Sequence, residues 1–371
     1  MTLNASADGE LGQPGLQYRW PLAVFFRAMQ AEYEATGDGR IIDALEKHYI
    51  HTIESGEHIG VLPEGMKWRW RNIMGIEGML WTYSMTGNRA LLDYAVAEWE
   101  AGSAFELNMD EIMSDRSPYM HGVTYCEEMK LPMLLYAYTG EQKYLDAAVR
   151  ADEKLLRHHL LPDGVPSSNE HLDGNDPLTS HETCDITDYT WSLGYYLMTT
   201  GDAVYADAIE KAVFNAGPGA VTKDFKALQY FSSVNQFIAT GDSDHNEFKK
   251  GSTWMAYRPT HETECCAGNV HRFMPNYVSR MWLEGETEGE LVAAMYGPSE
   301  VRHELPDGNV VTVTEDTAYP FGNEIRFVFS MDKSARFPFT FRVPSWCGDA
   351  EIRINGSGYD VIPDENGFST V

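Results

Sequence analysis

The sequence predicts a mainly α-helical fold, an (α/α)6-type toroid of helix hairpins over residues 1–288, followed by an antiparallel β-sandwich domain over residues 289–371. Two observations carry that expectation. A tyrosine-containing segment ending in Thr-Gly recurs four times, and the texture changes to β-forming residues after Leu291.

The recurring segments are Tyr33-Glu34-Ala35-Thr36-Gly37, Tyr83-Ser84-Met85-Thr86-Gly87, Tyr136-Ala137-Tyr138-Thr139-Gly140 and Tyr196-Leu197-Met198-Thr199-Thr200-Gly201. Glycine is expected just beyond a helix C-terminus, where the chain turns through a left-handed conformation that other residues adopt at a cost. The stretches that follow, such as Tyr144-Leu145-Asp146-Ala147-Ala148-Val149, are rich in helix formers. Each unit therefore reads as an antiparallel helix pair. The glycines recur at intervals of 50, 53 and 61 residues, a period that marks stacked helical arrays. An open superhelical scaffold and a closed toroid both satisfy it, and the density of aromatic residues on the presumed inner faces favours the toroid. Six pairs would close the ring. Those not evident are expected within residues 11–80 or in a portion preceding the chain.

After Leu291, the segments Asn309-Val310-Val311-Thr312-Val313-Thr314, Glu324-Ile325-Arg326-Phe327-Val328-Phe329 and Phe339-Thr340-Phe341-Arg342-Val343 read as strands, with turn signals at Asp307-Gly308 and Phe321-Gly322-Asn323. The closing Gly367-Phe368-Ser369-Thr370-Val371 reads as the start of a strand. A fragment or a shortened family member is the expectation.

The composition is that of a globular protein, with 43% hydrophobic and 12% aromatic residues. Its 28 basic and 56 acidic residues give a formal charge of −28. Such a surface repels phosphate backbones and anionic lipid, so neither nucleic acid nor a membrane is expected as a partner, whereas a neutral substrate is compatible with it. No apolar run approaches the ~20 residues that span a bilayer. The opening Met1-Thr2-Leu3-Asn4-Ala5-Ser6-Ala7 lacks the pattern of a secretory signal. Five cysteines, an odd number, fit a reducing compartment better than a disulfide framework. A cytoplasmic location is expected.

Three of those cysteines fall in two short segments, Glu182-Thr183-Cys184 and His261-Glu262-Thr263-Glu264-Cys265-Cys266-Ala267-Gly268-Asn269. Adjacent cysteines close a disulfide only with strain, but both can serve a soft metal if the backbone turns between them. With Cys184 and the Glu182 carboxylate they make three sulfurs and one oxygen, a set that suits tetrahedral zinc. Both segments stand where helices are expected to begin. One is amphipathic over residues 185–198. The other carries Val270, Phe273, Tyr277, Val278 and Met281 at helical spacing, with a kink expected at Pro275. Thiols at a helix N-terminus meet free N–H groups that lower their pKa. Cys126 and Cys347 read as small buried hydrophobes. Spacing alone leaves a structural zinc site as open as a catalytic one.

His121, His181, His261 and His271 surround these motifs. Each reads as a structural histidine, as a hydrogen-bond partner for a polar ligand, or as a group orienting a metal ligand. Asn269 reads as a cap or a ligand contact. Trp68 and Trp70 offer flat surfaces on which a ligand ring can stack, while Trp81, at helical spacing, reads as core.

The order Glu-x-Cys, then Cys-Cys-x-x-Asn opening a helix, resembles the β-L-arabinofuranosidase family, glycoside hydrolase family 127. His121-Gly122-Val123-Thr124, leading to Lys130-Leu131-Pro132, is similar to part of that family's barrel, and Phe341-Arg342-Val343-Pro344-Ser345-Trp346-Cys347 to a strand of its β domain. The resemblance runs from about residue 65 to the end. It implies zinc held by Glu182, Cys184, Cys265 and Cys266, which fills all four positions and leaves none for an activated water. It implies Cys265 as a thiolate nucleophile and a glutamate upstream of Glu-x-Cys as acid/base, best matched by Glu170, with Asp173 and Asp176 as rivals. It also gives His121 as a substrate contact, with His181, Asn269 and His271 as further candidates. Ala267-Gly268 stands where the family has Pro-Pro, which points to a divergent branch.

The resulting expectation is a retaining, zinc-dependent glycoside hydrolase that releases a terminal furanose such as β-L-arabinofuranose from plant-type glycans. Two other readings remain open. One is a sugar lyase or isomerase on the same toroid with structural zinc, and the other is a non-catalytic, zinc-stabilised carbohydrate-binding scaffold.

Overall fold

In the computed structural model, residues 20–55, 73–102, 107–244, 253–261 and 265–371 are described; Trp68, Trp70 and residues 1–7 lie outside them. Four antiparallel hairpins run through the helical part. They pair α1 (Trp20–Thr36) with α2 (Gly39–Glu54), α3 (Gly75–Thr86) with α4 (Arg89–Glu100), α7 (Lys130–Thr139) with α8 (Gln142–His158), and α9 (Thr183–Thr200) with α10 (Ala203–Ala220). Two short helices, α5 (Met109–Met113) and α6 (Gly122–Glu128), lie between the second and third pairs. These hairpins are the repeating unit of the (α/α) toroid that the sequence predicts.

The Thr-Gly signature has a fuller cause than the glycine alone. Gly37, Gly87, Gly140 and Gly201 all take left-handed φ angles of 66–70°, and their N–H groups return to carbonyls four residues back at 2.7–2.9 Å. Each threonine hydroxyl, at 36, 86, 139 and 200, donates to the carbonyl four residues before it. Each also accepts the N–H two residues ahead, at 3.2–3.3 Å. The next residue type then matters too. Asp38, Asn88 and Asp202 cap the helix that follows by accepting its second N–H. In three of the four turns a threonine and an Asp or Asn side chain thus satisfy some of the backbone groups left over where one helix ends and the next begins.

The chain forms two compact units, one reaching to Met120 and including Thr124–Leu155, the other comprising His121–Val123 and Leu156–Val371. In the first, Arg27 on α1 pairs with Glu77 on α3 and Glu127 on α6, both at 2.7 Å, and the buried Lys130 approaches Glu77 at 3.4 Å. Trp81 is partly buried and meets Tyr33 edge to face at 5.7 Å, so its expected core role holds in part.

In the second unit, the cysteine pair opens α11 (Cys265–Asn269), and a 3-10 turn (Val270–Arg272) leads into α12 (Phe273–Val278). The break expected at Pro275 falls instead at that turn. Pro275 sits in the first turn of α12, where an absent N–H costs nothing. A four-stranded sheet has the order β13 (Phe368–Thr370), β10 (Phe339–Arg342), β6 (Leu291–Ala293), β5 (Trp282–Glu284). A three-stranded antiparallel meander is built from β7 (Ser299–Glu304), β8 (Val310–Thr317) and β9 (Ile325–Met331). Leu291 and Phe339 of the first sheet share a buried cluster with Val311 and Val313 of the second, which makes the pair a sandwich. β6 and β10 pair in parallel, an exception to the antiparallel expectation. The chain leaves one sheet after β6, forms the whole meander and returns at β10, so a tight antiparallel turn between them is not possible. A small hairpin, β11 (Ile352–Ile354) with β12 (Ser357–Tyr359), completes the strands after β10. Among the described residues no helix is long and apolar enough to cross a membrane.

Arg342 on β10 fastens this sandwich to α10. Its fully buried guanidinium pairs with Asp207 and Glu210, and its Nε donates to the Ala294 carbonyl at 2.7 Å. Tyr319 donates to Glu210 at 2.6 Å, and Tyr277 on α12 donates to the Tyr296 carbonyl at 2.8 Å. Removing the one cation of such a cluster strands its carboxylates, a loss of about 3–5 kcal/mol. Arg342→Met is therefore expected to lower the unfolding free energy by that amount, measured by urea unfolding; a change under about 1 kcal/mol would show that the cluster contributes little.

Candidate active site

All the cluster residues lie in the second unit, and each is placed by backbone hydrogen bonds. β3 (His181–Glu182) pairs with β4 (Phe231–Ser232), and Glu182 is the N-cap of α9. Asp185, at the third helical position, accepts the Glu182 backbone N–H at 2.9 Å, which fixes the entry angle and places Cys184 in the first turn. The cysteine pair enters from α11. Cys184 Sγ and Cys266 Sγ are 3.3 Å apart. Asn269, one turn on from Cys265, donates to Cys184 Sγ at 3.2 Å, and its side-chain Oδ1 accepts from Arg272 at 3.1 Å.

Ligand atoms of Glu182, Cys184, Cys265 and Cys266 all lie within 4.8 Å of one another. Glu182 is fully buried, and its Oε2 has no hydrogen-bond partner among the described residues. A buried carboxylate oxygen without a partner is costly in a protein interior, and a cation among three sulfurs would satisfy it. The donor set and this orphaned oxygen fit a metal ion.

The carboxyl of Glu170 comes from a tight hairpin of β1 (Ser168–Asn169) and β2 (His171–Leu172). Glu170 is the residue between the paired Asn169 and His171, and it has a φ of 71°. That left-handed conformation in a non-glycine residue costs about 1–3 kcal/mol, and such strain gathers at working sites. The Gly122 N–H donates to the Glu170 carbonyl at 2.9 Å and holds the hairpin against the start of α6. A Cβ at Gly122 would lie 2.5 Å from Ser168 Cβ. Gly122→Ala is thus expected to destabilise the protein by about 1–3 kcal/mol and to displace Ser168, whose Oγ is 3.5 Å from Glu182 Oε1. Thermal unfolding and metal content of the variant check both effects.

Tyr230, which the sequence did not single out, joins the two halves of the site. Its hydroxyl donates to Glu170 Oε1 at 2.9 Å and lies 3.2 Å from Cys265 Sγ. Its ring lies against Trp254 at 4.3 Å, in the apolar cluster that also contains Cys184 and Cys266. His121 completes the mouth, its Nε2 lying 3.5 Å from Glu170 Oε2 and 3.9 Å from Glu182 Oε1.

The thiols differ in exposure and in charge. Cys265 is exposed, whereas Cys184 and Cys266 are buried. Hydrogen bonds from Cys184 and Cys266 hold the Cys265 thiol far below the usual thiol range. The same bond to Cys265 pushes Cys184 up, and burial pushes up Cys266, Glu182 and Tyr230. The cluster therefore concentrates its negative charge on the one sulfur that faces outward.

Residues 20–279 match the family model of the GH127 β-L-arabinofuranosidase catalytic domain. The chain belongs to that family. Residues 290–371 match its middle domain. Among solved structures, a glycoside hydrolase superposes with a TM-score of 0.77 at 18% identity, covering 95% of this chain and 61% of that one. A GH127 β-L-arabinofuranosidase from Geobacillus stearothermophilus T6 gives 0.69 at 19% identity, covering 94% and 59%. A third, a GH127 β-arabinofuranosidase, gives 0.72 at 17% identity, covering 95% and 57%. At these identities the likeness is one of fold, and the chain spans about three fifths of each solved relative. No curated protein sequence matches significantly.

The remaining candidates of this GH127 chain are placed elsewhere. His181 is completely buried, with Nε2 2.8 Å from Asp163 Oδ2. His261 is buried against the Leu228 carbonyl at 3.0 Å, and His271 is exposed on the 3-10 turn. Asp173 accepts from Asn169 at 2.7 Å and Asp176 from the Leu178 N–H at 2.8 Å, so each is engaged within its own loop. Cys126 is buried as expected, while Cys347 is only half-buried.

Proposed function

We propose that this chain is the catalytic part of a zinc-dependent retaining glycosidase that releases a terminal furanose, β-L-arabinofuranose being the reference sugar, from plant-type glycans. Family membership supports the class of reaction. The observation that carries the mechanism is the single Tyr230 hydroxyl between Cys265 and Glu170. A thiol and a carboxyl sharing one small partner stand a few ångströms apart, the kind of separation that retaining enzymes use, roughly 5–5.5 Å between their two groups.

Glu182, Cys184, Cys265 and Cys266 would hold the zinc, which supplies a charge that keeps the thiols deprotonated and fixes the Cys265 sulfur. The exposed Cys265 thiolate attacks the anomeric carbon while Glu170 gives its proton to the leaving oxygen, forming a thioglycosyl link. Glu170, now a carboxylate, takes a proton from water, whose oxygen attacks the same carbon and releases Cys265. Two displacements restore the original configuration. His121 contacts the sugar, and His271 is an outer contact. Asn269 orients Cys184, and His181, tied to Asp163, steadies Glu182 from the preceding residue. Catalysis lies in residues 1–288, in a cytoplasmic protein that binds a carbohydrate and neither nucleic acid nor membrane.

The test is hydrolysis of an aryl β-L-arabinofuranoside by reduced protein, with the first-formed sugar anomer read by NMR and zinc by elemental analysis. A retained anomer and about one zinc per chain sustain the proposal. An inverted anomer, or activity in zinc-free reduced protein, overturns it.

A further inference from the structure

His121 faces two carboxylates, with its Nε2 3.5 Å from Glu170 Oε2 and 3.9 Å from Glu182 Oε1. The ligand atoms of His121, Glu170 and Glu182 lie within 4.8 Å of one another. We propose that these three residues form a second site for a divalent transition-metal ion, which shares Glu182 with the cysteine site and inhibits the enzyme when filled.

The distances suit such an ion. A tetrahedral cation with bonds of about 2.0–2.2 Å needs its ligand atoms roughly 3.3 Å apart. His121 Nε2 is 3.5 Å from Glu170 Oε2 and 3.9 Å from Glu182 Oε1, and all three ligand atoms lie within 4.8 Å of one another, so modest side-chain shifts would bring three donors onto one ion. Nor are the donors loose. His121 is bridged to His171 across the antiparallel chain, Gly122 N–H holds the Glu170 carbonyl, and Ser168 N–H donates to the Ser180 carbonyl at 2.7 Å, next to β3. The side chains of His121 and Glu170 are 12% and 24% exposed, so an ion can enter.

Glu182 is placed to serve both sites. It is fully buried, its Oε1 faces His121 and Ser168 Oγ, and its Oε2, turned to the cysteine site, lacks a partner among the described residues. A carboxylate can offer one oxygen to each of two ions, as in sites whose metals stand about 3.5–4 Å apart. The two pockets differ in chemistry. Three sulfurs favour a soft ion and close its shell, whereas one imidazole and two carboxylates accept zinc, cobalt or manganese and leave a position open. On the reading of Glu170 as proton donor, an ion on its oxygen removes that proton and stops the reaction.

Titration of metal-free, reduced protein with cobalt(II) separates the two sites. The first equivalent is expected to bring strong near-ultraviolet thiolate-to-cobalt absorption. The second is expected to add only weak visible bands. His121→Ala and Glu170→Gln, with far-UV circular dichroism unchanged, should bind one equivalent with the full near-ultraviolet signal. In wild type, zinc beyond one equivalent should lower activity by about a hundredfold, the usual scale of a lost general acid. Saturation of wild type at one equivalent, or two equivalents persisting in both variants, would overturn the second site and leave the cysteine site standing. A first equivalent without thiolate absorption overturns the cysteine site, while loss of an equivalent in His121→Ala would still uphold the second.

Discussion

Cys265→Ala is expected to reduce kcat/KM on an aryl β-L-arabinofuranoside by about four orders of magnitude or more, the scale on which removing a nucleophile acts. Three features single out this sulfur. It is exposed, while Cys184 and Cys266 are buried. It is the thiol held low, by hydrogen bonds from its two neighbours. It is also the sulfur that shares the Tyr230 hydroxyl with Glu170. Because the side chain is exposed, its removal leaves no core cavity, and thermal unfolding of the metal-free variant should match metal-free wild type within about 0.5 kcal/mol. Cys184→Ala differs in kind. It should lose metal and stability together, since Cys184 packs in the apolar cluster with Tyr230 and Trp254. Substantial turnover in folded Cys265→Ala would sink the thiolate mechanism and favour a lyase or isomerase with structural metal.

Much of this arrangement was legible in the residues, for identifiable reasons. A glycine at a helix C-terminus and the helix formers after it act locally, so the hairpins could be placed without knowledge of packing; the Asp or Asn cap directly after the glycine acts just as locally. The cysteine pair and Glu182-x-Cys184 were legible because sulfur and carboxylate side by side have few other uses. Tyr230 was not. It is one of 20 tyrosines, lies in a stretch without a motif, and becomes special only when β4 pairs with β3 and carries it between Glu170 and Cys265. The parallel register of β6 with β10 was hidden for a similar reason, because strand alternation reports burial and is silent on partner and direction. Arg342 was quoted as part of a strand motif, yet its buried pairing depends on two carboxylates more than a hundred residues away. Local chemistry was readable; contacts made by folding were not.

Stripping the metal is expected to show a steep pH dependence, and its sign follows from the thiols. Cys184 and Cys266 are pushed above the usual thiol range, the first chiefly by its bond to Cys265 and the second by burial, so both keep their protons at neutral pH in metal-free protein. Cys265, held low, is already a thiolate and has none to give. Glu182 is raised by burial and adds a third proton where pH lies below its shifted value. A metal ion needs all four groups deprotonated, so binding must expel at least the two thiol protons. Affinity therefore rises with pH and falls about a hundredfold for each unit of acidification while both thiols remain protonated in the free protein. Calorimetry in buffers of different ionisation enthalpy counts the protons, and chelator competition at several pH values gives the slope. Stability follows the same course. An ion at a hundred times its Kd contributes about 2.7 kcal/mol and at a thousand times about 4.1, so each unit of acidification should remove roughly 2.7 kcal/mol of metal-dependent stability until the ion is lost. A pH-independent affinity, or no proton release, would mean that the thiols are already ionised before metal arrives. The charge separation within the cluster, with Cys265 as its single outward thiolate, would then be wrong.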